Sequence, residues 1–316
     1  MLNEVIDNIL NKIKNNQKIN EDIKHINRFI NELILDLYFY NKINYLINNK
    51  GKHIRTLLSL HYYYKYKTNN SYNISILYKI LSIVELTHFA SLLHDDVIDS
   101  SKSRRLEHSF NYLYGNKNSI LIGDYLLINN FNKLLKVLDK EQYSKYIINQ
   151  FIKASIDTAY GAYLENNLND NIDLVFDNNT NIKSIIEQYI KIAKLKTGSL
   201  FKFSCISGCI LSNTSFNNVK QAASFGLVFG IIYQIQNDLN DYKYSNYQES
   251  EDYMQNNITF PIIILQSITD IRQILYNKNQ TNFNKMKKLI NTNQFKDELN
   301  YIINKYINKM VNINKL

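Results

Sequence analysis

The chain has 316 residues, a single proline and eight glycines, so it carries few helix breakers and no Pro-, Gly- or Ser-rich linker that would divide it. Its net charge of +9 comes from scattered lysines, with no basic helix or aromatic stacking platform, which argues for a solvated surface and against a nucleic-acid partner. The two cysteines, Cys205 and Cys209, lie one helical turn apart in an apolar stretch; they read as small core residues in a reducing, cytoplasmic setting rather than as a disulfide.

From the N-terminus, Met1-Leu2-Asn3-Glu4 lacks the pattern of a secretory signal, and Ile6, Ile9, Leu10 and Ile13 follow at helical spacing. Gly51-Lys52-His53-Ile54-Arg55 places two cations three residues apart at the start of a predicted helix, where free backbone N–H groups and the positive helix end add to their charge. Ile80, Val84, Thr87 and Ser91 continue a helical apolar face into Asp95-Asp96-Val97-Ile98-Asp99. On that face His88 lies two turns before Asp95. A Ser/Lys loop then leads to Arg104 and Arg105, which can face anions without passing through the carboxylates.

Farther on, Ile185, Tyr189 and Ile192 predict another helix, interrupted at Lys196-Thr197-Gly198, where a glycine beside a hydroxyl residue can loosen the helix and free carbonyl dipoles. The apolar run Phe225 to Ile235 ends in Asn237-Asp238-Leu239-Asn240-Asp241, with Gln234 three residues before Asn237. The apolar stretches 226–235 and 261–265 are well short of the roughly 20 residues that span a bilayer. The expectation is an all-α single domain over 1–316, held by packing because Asn, Ile and Tyr are not all strong helix formers.

The two acidic words carry the chemistry. Residues i and i+4 of a helix project from one face, so Asp95 and Asp99 can point at one volume, and their mutual repulsion calls for a cation. The hard ion that accepts a few carboxylates together with water and phosphate oxygens is Mg²⁺, so metal-bound diphosphate is the expected ligand.

In order and spacing, Gly51 to Arg55, His88 to Asp99, Arg104-Arg105, Asn111, Gly123 to Leu127, Lys196-Thr197 and Gln234 to Asp241 resemble the trans-prenyl diphosphate synthases, closest to their bacterial octaprenyl branch. The resemblance implies a helical bundle of the isoprenoid synthase type with a central active-site cavity. It implies that Lys52, Arg55, His88 and Arg105 hold the diphosphate of isopentenyl diphosphate, and that Arg104 holds the allylic prenyl diphosphate. Asp95, Asp96 and Asp99, with Asn237, Asp238 and Asp241, would bind two or three Mg²⁺ ions, and Lys196, Thr197 and Gln234 would flank the reacting carbon. Ala90 and Ser91, five and four residues before Asp95, with Thr87 behind them, are small where an aromatic would stop chain growth. The implied product is therefore long, octaprenyl-like and suited to a quinone side chain. A homodimer with at most transient membrane contact is implied in the same way.

Four departures bear on this reading. Asn237 stands where the family usually has Asp, Asn256-Asn257 replace Gly-Lys, and Gly161-Ala162-Tyr163-Leu164-Glu165 replaces a Gly-Glu word followed by Gln; Leu106 also takes the place of a glycine. They leave two alternatives open, a short-chain farnesyl or geranylgeranyl synthase and a weakly active or regulatory subunit of a heteromeric synthase.

Overall fold

The three-and-four apolar spacing near the N-terminus becomes helix α1 (Leu2–Lys14), which buries Ile6, Leu10 and Ile13. The structure is a computed structural model that describes residues 2–35, 37, 39, 41–43, 51–104, 107–176 and 181–315. The longer helices that follow are α2 (Gln17–Leu35), α3 (Ile54–Tyr66), α4 (Ile74–Ile98), α5 (Asn116–Val137), α6 (Ser144–Asp170), α7 (Ile182–Ala193), α8 (Ser199–Leu211), α9 (Phe216–Asp241), α10 (Phe260–Ile268), α11 (Gln280–Ile290) and α12 (Asn293–Lys315). The only strands among the described residues are β1 (Ser103–Arg104) and β2 (Glu107–His108), an antiparallel pair in which Ser103 faces His108 and Arg104 faces Glu107. The all-α expectation holds.

The chain forms two compact units. One comprises Val5–Ile152 and Phe203–Ala223, the other Met1–Glu4, Lys153–Lys202 and Ser224–Leu316. Their boundaries fall inside α1, α6, α8 and α9 rather than in loops, so no change of composition marks them.

In the first unit α4 packs against α2, α3 and α5. The Asn73 side chain starts it by accepting from the Ser75 backbone N–H, and at its far end the Asp99 N–H donates to the Asp95 carbonyl. Asp22 of α2, buried, accepts hydrogen bonds from the hydroxyls of Tyr64 and Tyr78 and so ties α2 to α3 and α4. Close approach of α8 to α3 depends on Gly208, because a Cβ there would lie 2.1 Å from the Ser59 carbonyl oxygen. By length and apolar composition α4 is also the one helix among the described residues able to cross a bilayer, longer than the apolar stretches 226–235 and 261–265. More than half of its most apolar window is buried, as for the core helix of a globular unit.

In the second unit α10 packs against α7 and α12. Pro261 sits in the first turn of α10, where its missing N–H costs nothing. Between α7 and α8 the chain makes a π-helical turn, Lys194–Gly198, at the place where Lys196-Thr197-Gly198 is expected to loosen the helix. That turn is gripped from two sides by glycines. A Cβ on Gly161 of α6 would come within 2.3 Å of the Lys196 backbone nitrogen, and one on Gly230 of α9 within 2.5 Å of the Gly198 Cα. Both helices approach backbone to backbone, which fixes where the side chains of Lys196 and Thr197 leave the turn.

Candidate active site

In the first unit, the residues read as diphosphate and metal ligands lie on α3, α4 and the hairpin. Lys52 and His53 precede α3, so only Arg55 lies in its first turn, a shift from the expected pair within the helix. His53 caps α3 in a left-handed conformation, φ 49° and ψ 33°. Lys52 is exposed, whereas Arg55 and His88 are half-buried.

At the end of α4 the carboxylates separate by face. Asp95 and Asp99 are half-buried and stand one turn apart. Asp96, rotated about 100° from Asp95 as successive helical residues are, is only 2% exposed and accepts from Arg104 Nε at 2.7 Å and from the Arg104 terminal guanidinium nitrogen at 2.5 Å. Its backbone carbonyl accepts from the Asn111 amide. Burial raises the Asp96 pKa, and Arg104 offsets part of that rise. Asp96 and Arg104, expected to bind metal and allylic substrate, are thus paired with each other, and the pair pins the hairpin beneath the motif. Arg105 lies outside the described residues. His94 is fixed in turn, its Nε2 3.2 Å from Asp124 Oδ1 and its ring lying over Gly123, where a Cβ would clash at 2.4 Å.

The chain-length positions are also on α4. Ala90 and Thr87 are buried, and the Thr87 hydroxyl donates to the Ile83 carbonyl and accepts from the Asn130 amide of α5. Ser91 is half-buried and bonds back to the His88 carbonyl.

The second unit holds a connected polar chain. Thr197 Oγ1 donates to Gln234 Oε1 at 2.7 Å, and Gln234 Nε2 donates to Asp238 Oδ1 at 2.9 Å. Asp238 Oδ2 accepts from the Tyr189 hydroxyl at 2.6 Å and from the Phe260 backbone N–H at 3.0 Å. Asp241 accepts from the Ser250 hydroxyl, and Lys196 is paired with Glu165. Asn237 is exposed, one helical step away from the buried Asp238. The departures at 256–257 have local reasons. Asn256 occupies a left-handed cap at φ 60°, a conformation Asn tolerates in place of Gly, while the Asn257 amide donates to Asp252 and its carbonyl accepts from Asn169.

Four carboxylates act on one another here. Burial pushes the Asp238 pKa up to about 6 against its three hydrogen-bond donors, and Glu165 adds to the rise. Asp252 is pushed well above the ordinary range by burial, then by Asp241 and Asp238. A carboxyl with a raised folded-state pKa takes up its proton at higher pH than the unfolded chain does, so the metal-free protein gains stability from this group as pH falls from 7 through about 6 toward 4. Asp238→Asn, neutral throughout, is therefore expected to compare more favourably with wild type at pH 7 than at pH 5. Thermal melts of both proteins at the two pH values in chelator check the sign.

Among the described residues no three His, Cys, Asp or Glu side chains form a ready-made metal shell. The donor chemistry nevertheless fits a hard divalent cation, because each unit offers at least one partly accessible carboxylate, Asp95 and Asp99 in one and Asp241 in the other, with no soft ligand beside them. Sequence reasoning missed two polar residues near these sites, the largely buried Glu85 and the buried Tyr189. An acid inside the apolar run of α4 signals Glu85, whereas nothing in the spacing distinguishes Tyr189 from a core aromatic.

A family model described as polyprenyl synthetase matches residues 37–294. The chain is 35% identical over 164 residues to a decaprenyl-diphosphate synthase of Dictyostelium discoideum, covering 52% of this chain and 32% of that protein. It is 30% identical over 202 residues to solanesyl-diphosphate synthase 2, chloroplastic, of Oryza sativa subsp. japonica, covering 62% and 46%. The matched stretch thus spans 32% and 46% of these relatives, less than half of either. In fold it resembles a polyprenyl synthase from Caulobacter crescentus CB15 solved with calcium and isoprenyl diphosphate, with a TM-score of 0.77, 20% identity, and 98% and 90% of the two chains covered. The chain belongs to the polyprenyl synthetase family.

Proposed function

We propose that this chain is a long-chain trans-polyprenyl diphosphate synthase, a prenyltransferase that condenses isopentenyl diphosphate head-to-tail onto an allylic prenyl diphosphate. The observation that carries the reading is the pairing, within one packed group of helices, of a basic entry to α3 with the Asp95 and Asp99 carboxylates at the end of α4. Anion-binding cations and cation-binding acids on contacting helices suit two diphosphates better than one. Support comes from the family match, from relatives named for decaprenyl and solanesyl products, and from the likeness in fold to a Caulobacter polyprenyl synthase solved with calcium and isoprenyl diphosphate.

In this reading Lys52, Arg55, His88 and Arg105 bind the homoallylic diphosphate. Asp95 and Asp99 of the first unit and Asp241 of the second would hold the two or three Mg²⁺ ions, which would supply Lewis acidity toward the departing diphosphate, whereas the Asp238 carboxylate, expected as a ligand, is buried with both oxygens already accepting hydrogen bonds. Asp96 and Arg104 hold the floor of the first motif, and Asp238 orients Gln234 and through it Thr197. Lys196, Thr197 and Gln234 flank the reacting carbon, and the apolar helices keep water from the allylic cation. The proton lost on condensation leaves with the released diphosphate. Residues 1–316 act as one functional domain.

Incubating the purified chain with Mg²⁺, farnesyl diphosphate and labelled isopentenyl diphosphate, and weighing the product, tests the reading; an octaprenyl-length chain, fit for a quinone side chain, is expected. Product confined to C15 or C20 would support the short-chain alternative. A second reading, a subunit that works only beside another synthase chain, is favoured by the charge missing at Asn237, and activity that appears only with a partner would establish it. Ala90→Phe is expected to shorten the product by several isoprene units at a stability cost of about 1–3 kcal/mol, since Ala90 is buried. Unchanged product mass would place the tail elsewhere.

A homodimer belongs to the same proposal. On α5, Leu121, Ile128 and Leu135 recur every seven residues and are 66%, 69% and 53% exposed, an apolar stripe fit for a helix of a second copy. Ile152, Ile156, Tyr160 and Tyr163 make a comparable exposed stripe on α6. Sedimentation of Ile128→Glu beside wild type tests it, with monomer expected for the variant.

A further inference from the structure

Glu85 lies in the apolar middle of α4, largely buried, yet nothing in the chemistry above uses it. Its two carboxylate oxygens face the start of α3: Oε1 accepts from Thr56 Oγ1 at 2.7 Å, and Oε2 lies 3.5 Å from His53 Nδ1. His53 is the residue held at φ 49°, a conformation that costs a non-glycine residue free energy and persists only where neighbours enforce it. Burial alone would raise the Glu85 pKa, but His53, Thr56 and Arg55 together outweigh it and hold the group ionised. The carboxylate therefore accepts a hydrogen bond from the third residue of the helix and lies within ion-pair distance of the left-handed cap, and the cations read as diphosphate ligands, Lys52 and Arg55, are the neighbours of those two residues. His88 lies three residues beyond Glu85 on the same side of α4.

We infer that Glu85 is the positioning residue of the homoallylic diphosphate pocket: it fixes the turn that sets Lys52 and Arg55 at the spacing one diphosphate requires, without touching the substrate. The inference rests on the proposed synthase activity and names what organises one of its two substrate subsites. It also assigns the backbone strain at His53 a purpose, since a relaxed cap would swing Lys52 away from Arg55.

Steady-state kinetics with each substrate varied in turn tests this on the full chain. In Glu85→Gln and Thr56→Val, the KM for isopentenyl diphosphate is expected to rise roughly tenfold, with kcat and the KM for the allylic diphosphate changed by no more than about twofold. Adding His53→Gly to Glu85→Gln should recover a large part of the loss, because glycine adopts the left-handed cap unaided. A purely structural role would lower thermal stability and depress both substrates alike, with no rescue by glycine; that pattern, or unchanged kinetics, overturns the inference. Should Glu85→Gln fail to fold, Thr56→Val carries the same substrate comparison. An inactive wild type overturns the synthase reading and this inference with it, whereas an active wild type with variants that do not discriminate between substrates overturns this inference alone.

Discussion

Asp95→Ala is expected to lower turnover by roughly 10²- to 10³-fold, the size of losing one preorganised group that stabilises transition-state charge, while stability changes by no more than about 0.5 kcal/mol. The asymmetry follows from where the side chain sits. Asp95 is half-buried at the end of α4, beside water, and the helix end is held by the Asp99 N–H on the Asp95 carbonyl, a backbone bond that alanine keeps. Asp96→Ala makes the contrast, because it strips the Arg104 guanidinium of a buried partner and is expected to cost about 3 kcal/mol or more along with activity. Melting curves and initial rates for the two variants separate the roles. If Asp95→Ala retained wild-type turnover at saturating Mg²⁺, the first motif would not be where the metal and the leaving group meet.

Gly161→Ala is expected to destabilise the protein by about 1–3 kcal/mol, as overpacking does, and to lower turnover as well. The added methyl would fall 2.3 Å from the Lys196 backbone nitrogen and 2.8 Å from its Cα, so either α6 or the π-helical turn must move. That turn carries Lys196 and Thr197, the latter at the head of the hydrogen-bonded chain through Gln234 to Asp238. Any shift there misaims the ammonium and strains the chain, so activity should fall further than stability alone accounts for. Gly208→Ala serves as a control, since its clash is with the Ser59 carbonyl on α3, away from that turn. Calorimetry with kinetics on both variants checks the prediction; equal activity in the two at matched stability would mean that the turn tolerates displacement.

Much of this was legible in the amino-acid sequence because helices and motifs are written locally. Period-3.6 spacing with almost no Pro or Gly is enough for helices, and paired acids one turn apart point at one volume in any helix that carries them. The interruption at Lys196-Thr197-Gly198 was readable for the same reason, as a glycine next to a hydroxyl weakens the ladder where it stands. The sequence also placed Gly51 to Arg55, both acidic words and Gln234 in an order that matches the polyprenyl synthetases.

Other assignments depend on residues far apart in the chain. Spacing could not show that Asp96 faces inward to Arg104, that Tyr189 and the Phe260 N–H grip Asp238 from 49 and 22 residues away, or that Glu85 holds the cap of α3. Each of these is a contact made only when helices pack, and a carboxylate becomes a ligand, a clamp or a partner according to what burial brings beside it. So the chain's own pattern determined that it is helical and which residues could do diphosphate chemistry. Tertiary packing decided which of them stay accessible for it, because desolvation lets a buried acid persist only with a donor or cation supplied by another helix.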